Sequence, residues 1–222
     1  MNESLRNALE KLKSYEEVHL EKGKKLSEAY GGTSYPLDMC AVAVLNRSLN
    51  LFRGFYIMVE ARNLICAASL LRIQLDNLLR FYASFIVSDP HEFALEVSKG
   101  KRISKMIDQN GNQMTDYYLR SKLSEEFSWV SSLYEKTSGY IHFSDEHIKN
   151  AVRKVSGEDS GLEFSIALGD KHIPDDLYIE LIEAFLATTD ALFEYVDGWI
   201  YTKDNPQEIA KKKRLHDESG RD

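Results

Sequence analysis

The chain has 222 residues, 43% hydrophobic and 28% charged, with a net charge of -7 and a pI near 5.5. This composition excludes a disordered chain, and the acidic balance argues against nucleic-acid binding through a broad field of Lys and Arg, leaving only a local basic patch. The longest nearly unbroken apolar run, Leu64 to Leu71 with Ser69 inside it, falls short of the ~20 residues a membrane span needs, so no membrane partner is expected.

Met1-Asn2-Glu3-Ser4 opens into charged residues without the basic start and apolar core of a signal peptide, which predicts a cytoplasmic protein. From Glu3 to Ala29, Leu5, Leu9, Leu12, Tyr15 and Val18 recur at helical spacing, and Gly31-Gly32 ends the pattern. Tyr35-Pro36 opens a second helix reaching Val59, in which Asn46, Asn50, Arg53 and Glu60 form one polar strip and the rest is largely apolar, so it is expected at the centre. A third helix, about Arg62 to Val87, carries a wide arc of leucines, with Arg72, Asp76 and Arg80 at i, i+4 and i+8 beside it. Cys40 and Cys66, without a CxxC, read as small core residues.

From His91 to Glu126 the chain is more polar and reads as two shorter helices around a loop containing Asn110-Gly111-Asn112. Helical spacing returns from Phe127 to His142, and Ser144 can cap a short helix from Asp145. Alternation in Leu162 to Leu168 predicts a small β-hairpin over 151–168. Pro174-Asp175-Asp176 starts the last long helix. The fold expected is mainly α: an antiparallel helical bundle forming one domain over 1–202, with an N-terminal helix (1–30), core helices (36–142), the hairpin and a last helix (174–202). Residues 203–222, with the basic run 211–214, read as a polar tail.

Two constellations could carry chemistry. In the row Arg72, Asp76, Arg80 the carboxylate pairs both guanidiniums in a structural reading; in a functional one a guanidinium is left to hold a phosphate or carboxylate bidentately. In Tyr134 to Ser144, His142 is a candidate general acid or base, Lys136 a candidate anion holder, and Ser138 and Tyr140 candidate ligand contacts. The bland alternative has Tyr140 and His142 packing at a helix end. The run His142 to His147 has metal-binding composition but not the spacing of HExxH, so no metal is expected, and no phosphate-loop, dinucleotide or nucleophile-elbow motif implies a cofactor or reaction.

Leu71-Arg72 with an acid four residues on, followed by a Y-x3-S-x3-H-x-S element at Tyr134, Ser138, His142 and Ser144, resembles a group of bacterial helical proteins of unassigned activity. Over roughly Arg47 to Ile200 the helical core looks similar to HEPN domains, the helical bundles common in toxin–antitoxin and phage-defence systems. The resemblance implies a HEPN-like bundle, a homodimer, and a nucleotide, RNA or cognate protein as partner. HEPN ribonucleases cleave RNA without metal using an Arg four to six residues before a His. Here the position six residues before His142 holds Lys136, with Thr137 after it.

Three functions follow as expectations. The first is a non-catalytic homo-oligomeric interaction or nucleotide/RNA-binding module in a bacterial defence or toxin–antitoxin setting. The second is a metal-independent ribonuclease using His142 with Lys136 or Arg72. The third is a bundle that holds a small anionic ligand on the arginines. Whether Arg72 and His142 meet in space separates a scaffold from a site.

Overall fold

The computed structural model describes residues 1–142, 144–155, 161–167, 169 and 172–209. The fold is mainly α. Helix α1 (Glu3–Glu28) is followed by α2 (Pro36–Glu60), α3 (Leu64–Tyr82), α4 (Pro90–Ser98), α5 (Asp116–Glu126), α6 (Val130–Ile141), α7 (Asp145–Ala151) and α8 (Asp175–Asp204). Between α7 and α8, β1 (Val152–Val155) pairs antiparallel with β2 (Gly161–Phe164), Val152 opposite Phe164.

Local chemistry explains the boundaries. Asn2 caps α1 by accepting from the Leu5 amide at 2.8 Å, and Asp89 caps α4 through the amides of His91 and Glu92 at 2.8 and 3.0 Å. After α1 the chain turns through Tyr30, Gly31 and Gly32, all at positive φ, a conformation that costs glycine little and explains why the helix stops there. Pro36 occupies the first turn of α2 and Pro90 that of α4, where no amide donor is lost.

Helix α3 lies at the centre, packed against α2, α5, α6 and α8. Leu64, Leu71, Leu75, Leu78 and Leu79 are buried on it, each stabilising the fold by about 1.5–3 kcal/mol relative to exposure. The central place expected for α2 belongs to α3: α2 keeps its polar strip in solvent and also leaves Met39, Val42 and Ile57 exposed. Cys66 is likewise exposed, near the start of α3, and Cys40 is half-buried, so neither is the core residue its apolar neighbours suggested.

The expected antiparallel order holds for α1, α2 and α3, as the contacts His19 to Ser48 and Asn77 to Val44 require, and for α3 against α6, where Ser69 bonds the Tyr140 carbonyl. Helix α8 departs from it. Its partners on α1 advance together, Tyr15 with Asp190 and Lys22 with Asp197, so α1 and α8 run parallel.

Buried polar groups tie these helices. Asp38 of α2 accepts from Trp199 Nε1 at 2.7 Å and Lys203 Nζ at 3.0 Å, and Lys203 also donates to the Leu26 carbonyl at 3.1 Å. Lys203, first residue of the stretch expected to be a polar tail, is only 4% exposed and belongs to α8. The basic run 211–214 lies outside the described residues. Deeper in the core, His19 Nδ1 bonds the Tyr15 carbonyl at 2.7 Å, so Nδ1 carries the proton and Nε2 accepts from Ser48 Oγ at 2.8 Å. Ser48 in turn accepts from Gln74 Nε2 at 2.7 Å, and Gln74 reaches Thr189 at 3.1 Å. Burial holds the His19 imidazole below its usual pKa.

No helix among the described residues is long and apolar enough to cross a membrane.

Candidate functional site

The antiparallel packing of α6 on α3 sets two ridges side by side. On α3, Arg72 and Asp76 stand one turn apart; on α6, Tyr134, Ser138 and His142 follow at the four-residue spacing that keeps side chains on one face. Together with Arg47 from α2 they line a pocket of about 240 Å³. Arg72 and His142 therefore share one cavity, although they are 70 positions apart in sequence.

Arg72 is the distinctive group. Its guanidinium lies over the Tyr134 ring, 3.7 Å from the centroid, close enough for a cation–π contact. No carboxylate among the described residues lies within ion-pair distance of it. The expected row, with Asp76 serving both neighbouring arginines, is half correct. Asp76 pairs with Arg80 at 3.2 Å and, at 3.6 Å, with Arg47 from the adjoining helix. Arg80 continues the chain to Asp116 at 2.5 Å, which leaves it outside the pocket, while Arg72 keeps its N–H fork unused.

His142 terminates α6, its amide donating to the Ser138 carbonyl at 3.2 Å, and its exposed imidazole has no hydrogen-bond partner among the described residues. Ser138 donates its hydroxyl to the Tyr134 carbonyl at 2.7 Å, and its oxygen lone pairs can accept further donors. Ser144 donates to the Gly139 carbonyl at 2.7 Å, bracing the chain just past the helix end.

The structure does not bring Lys136 or Tyr140 to this pocket. Six residues at 100° each set Lys136 roughly 120° around the helix from His142, and it lines a second groove with Thr137 and Tyr140, on the other side of α6. The stretch Lys136 to His142, contiguous in sequence, is thus divided between two cavities.

Arg47 and Tyr134 were not among the residues singled out for ligand contact. A signal for Arg47 exists: it is a charge lying off the polar strip of α2. Nothing local in the sequence shows that Tyr134 stacks under Arg72.

Neither a protein-family model, nor a curated protein, nor a solved structure matches the chain. The reading of the pocket therefore stands on its chemistry. A stacked guanidinium and an imidazole, both without hydrogen-bond partners among the described residues, and a hydroxyl around a small cavity suit an anion with several oxygens. Asp76 would oppose an anion, but Arg47 and Arg80 both offset its charge. At roughly 30 Å³ per water-sized group the cavity of about 240 Å³ holds about eight such groups, enough for a phosphate and the first atoms attached to it. Among the described residues no cluster of His, Cys, Asp or Glu gathers as a metal ion would require.

Proposed function

We propose that this chain is a cytoplasmic, HEPN-like helical module that binds a phosphate-bearing ligand, a nucleotide or an RNA backbone phosphate, at the Arg72–His142 pocket. One observation carries the reading: Arg72 stacks on Tyr134 with its N–H donors unpaired among the described residues, in the same cavity as His142. A half-buried guanidinium serving only the fold is normally matched by a carboxylate. Here the nearest acid of its own row is committed elsewhere.

On this reading Arg72 forks two phosphate oxygens and His142 donates to a third, while Ser138 accepts from a sugar hydroxyl. Homo-oligomerisation and a role in bacterial defence or toxin–antitoxin biology belong to the same proposal and rest on the resemblance of Leu71-Arg72, Tyr134, Ser138 and His142 to that group. The test is titration of AMP and of a single-stranded oligoribonucleotide into the wild type and Arg72→Lys. Lysine keeps the charge but neither stacks as a plane nor forks, so at least about a tenfold loss of affinity is expected. Equal affinity in the two proteins sinks the reading.

A second reading, metal-independent RNA cleavage, is favoured by His142 and Arg72 lining one cavity. The imidazole takes the 2′-hydroxyl proton as the 2′-oxygen bonds to phosphorus, and the P–O5′ bond breaks to leave a 2′,3′-cyclic phosphate. The departing 5′-oxygen takes a proton from water, and the guanidinium stabilises the charge that develops on the non-bridging oxygens. Lys136 has no part in it. Cleavage by the wild type that disappears in His142→Ala, with binding kept, establishes this version; binding without cleavage in either protein rejects it.

A further inference from the structure

On the opposite side of α6 from the anion pocket, α6 and α8 both lean on α3 and leave a groove of about 410 Å³ between them. Its floor is Leu64 and Leu71 of α3, both fully buried, and its walls are Leu133 of α6 with Leu177 and Leu181 of α8, all half-buried. That volume falls within the ~300–1,000 Å³ of small-molecule clefts, toward the small end, and gaps between bundle helices are a common place for them.

Two charges stand at this groove, Lys136 on α6 and Glu180 on α8. Both side chains are exposed, and neither makes an ion pair with the other or with any described residue. A cation from α6 and an anion from α8, both lining a groove floored by leucines, are complementary to a ligand with both charges at one end and an aliphatic body at the other. A fatty acid or another simple carboxylate would satisfy Lys136 and meet Glu180 with like charge; an alkylamine would do the reverse. A zwitterion answers both charges.

We propose that the α3–α6–α8 groove binds a free aliphatic α-amino acid. Its carboxylate faces Lys136, its ammonium faces Glu180, and its side chain lies among the leucines. Thr137, whose hydroxyl is already committed to the Leu133 carbonyl at 2.7 Å, contributes its methyl group to the wall. This site does not depend on the phosphate reading, because none of the residues lining it lines the other pocket.

The test is isothermal titration of the full chain with L-leucine, 4-methylpentanoate and 3-methylbutylamine, the last two each lacking one charge. Leucine is expected to saturate one site, and each single-charge analogue to bind at least about tenfold more weakly. Lys136→Gln and Glu180→Gln, both at exposed positions that leave the melting temperature unchanged, are each expected to weaken leucine by a similar factor. Absence of saturation short of leucine's solubility limit, equal binding of all three compounds, or unchanged leucine affinity in both variants overturns the proposal.

Discussion

Two sets of polar residues sit among the helices, and they differ in a way that separates scaffold from site. At one end, Asp38, Trp199, Lys203 and the Leu26 carbonyl satisfy one another almost out of reach of solvent, Lys203 at 4% and Asp38 at 9% exposure. Between α3 and α6, Arg72 and His142 have comparable hydrogen-bonding capacity and use little of it. The presence of charged residues in an otherwise apolar helix is thus uninformative by itself. What distinguishes the two places is whether the donors and acceptors find each other within the chain.

The largest effect that tests this contrast is Lys203→Ala. Removing one partner leaves the Asp38 carboxylate buried without its cation, and breaking a buried pair in this way costs about 3–5 kcal/mol. Chemical denaturation measures it; a loss below about 1 kcal/mol would place this end of the bundle with ordinary surface ion pairs. Ser48→Ala comes next. It leaves His19 Nε2 without its donor and Gln74 Nε2 with Thr189 alone, and a loss of about 1–3 kcal/mol is expected.

The same core network predicts a pH dependence. His19 has its folded-state pKa held below the ordinary value by burial, so the unfolded chain takes up a proton first as pH falls. Stability is fully present above the unfolded imidazole pKa of about 6.5 and declines as pH drops from there toward the lower folded value. Melting temperature followed from pH 7.5 to 5 in the wild type and His19→Gln checks this. The variant, with no imidazole to protonate, should give the flatter profile, and parallel curves would show that His19 contributes nothing.

Arg72→Ala gives the smallest stability change of the series. It forfeits one half-buried cation–π contact, worth about 0.5–1 kcal/mol, and strands no buried carboxylate. A loss as large as that of Lys203→Ala would erase the distinction between the two regions and return Arg72 to the scaffold.

Much of this architecture is legible in the sequence, because the signals are local. Helical spacing of leucines, Pro36 in the first turn of α2, Pro174-Asp175-Asp176 at the start of α8 and Gly31-Gly32 after α1 fix the elements. Alternation over Leu162 to Leu168 marks the second strand, which is shorter than that stretch and spans Gly161–Phe164. What the sequence leaves open depends on packing. The placement of α3 rather than α2 at the centre, and the parallel course of α8 along α1, follow from which apolar faces meet, and no single helix records that.

The candidate site shows the same division. Arg72, Asp76, Ser138 and His142 stand out as polar groups in apolar helices, and α3 and α6 bring them to one pocket. Arg80, by contrast, shares the face of Arg72 on paper but is drawn to Asp116 of α5, a residue the helical spacing of α3 cannot reveal. Lys136 and His142 lie on one short helix, yet the turn of that helix sends them to different cavities.

On the proposed function, Arg72 and His142 of the α3–α6 pocket bind a phosphate. Isothermal titration of AMP at low salt into wild type, Arg72→Ala and His142→Ala, with melting temperatures recorded alongside, tests it most directly. One saturable site in the wild type, weakened at least about tenfold by Arg72→Ala and measurably by His142→Ala while all three proteins melt within a few degrees of one another, is the predicted result. Absence of binding in the wild type, or the same affinity in all three, contradicts the claim.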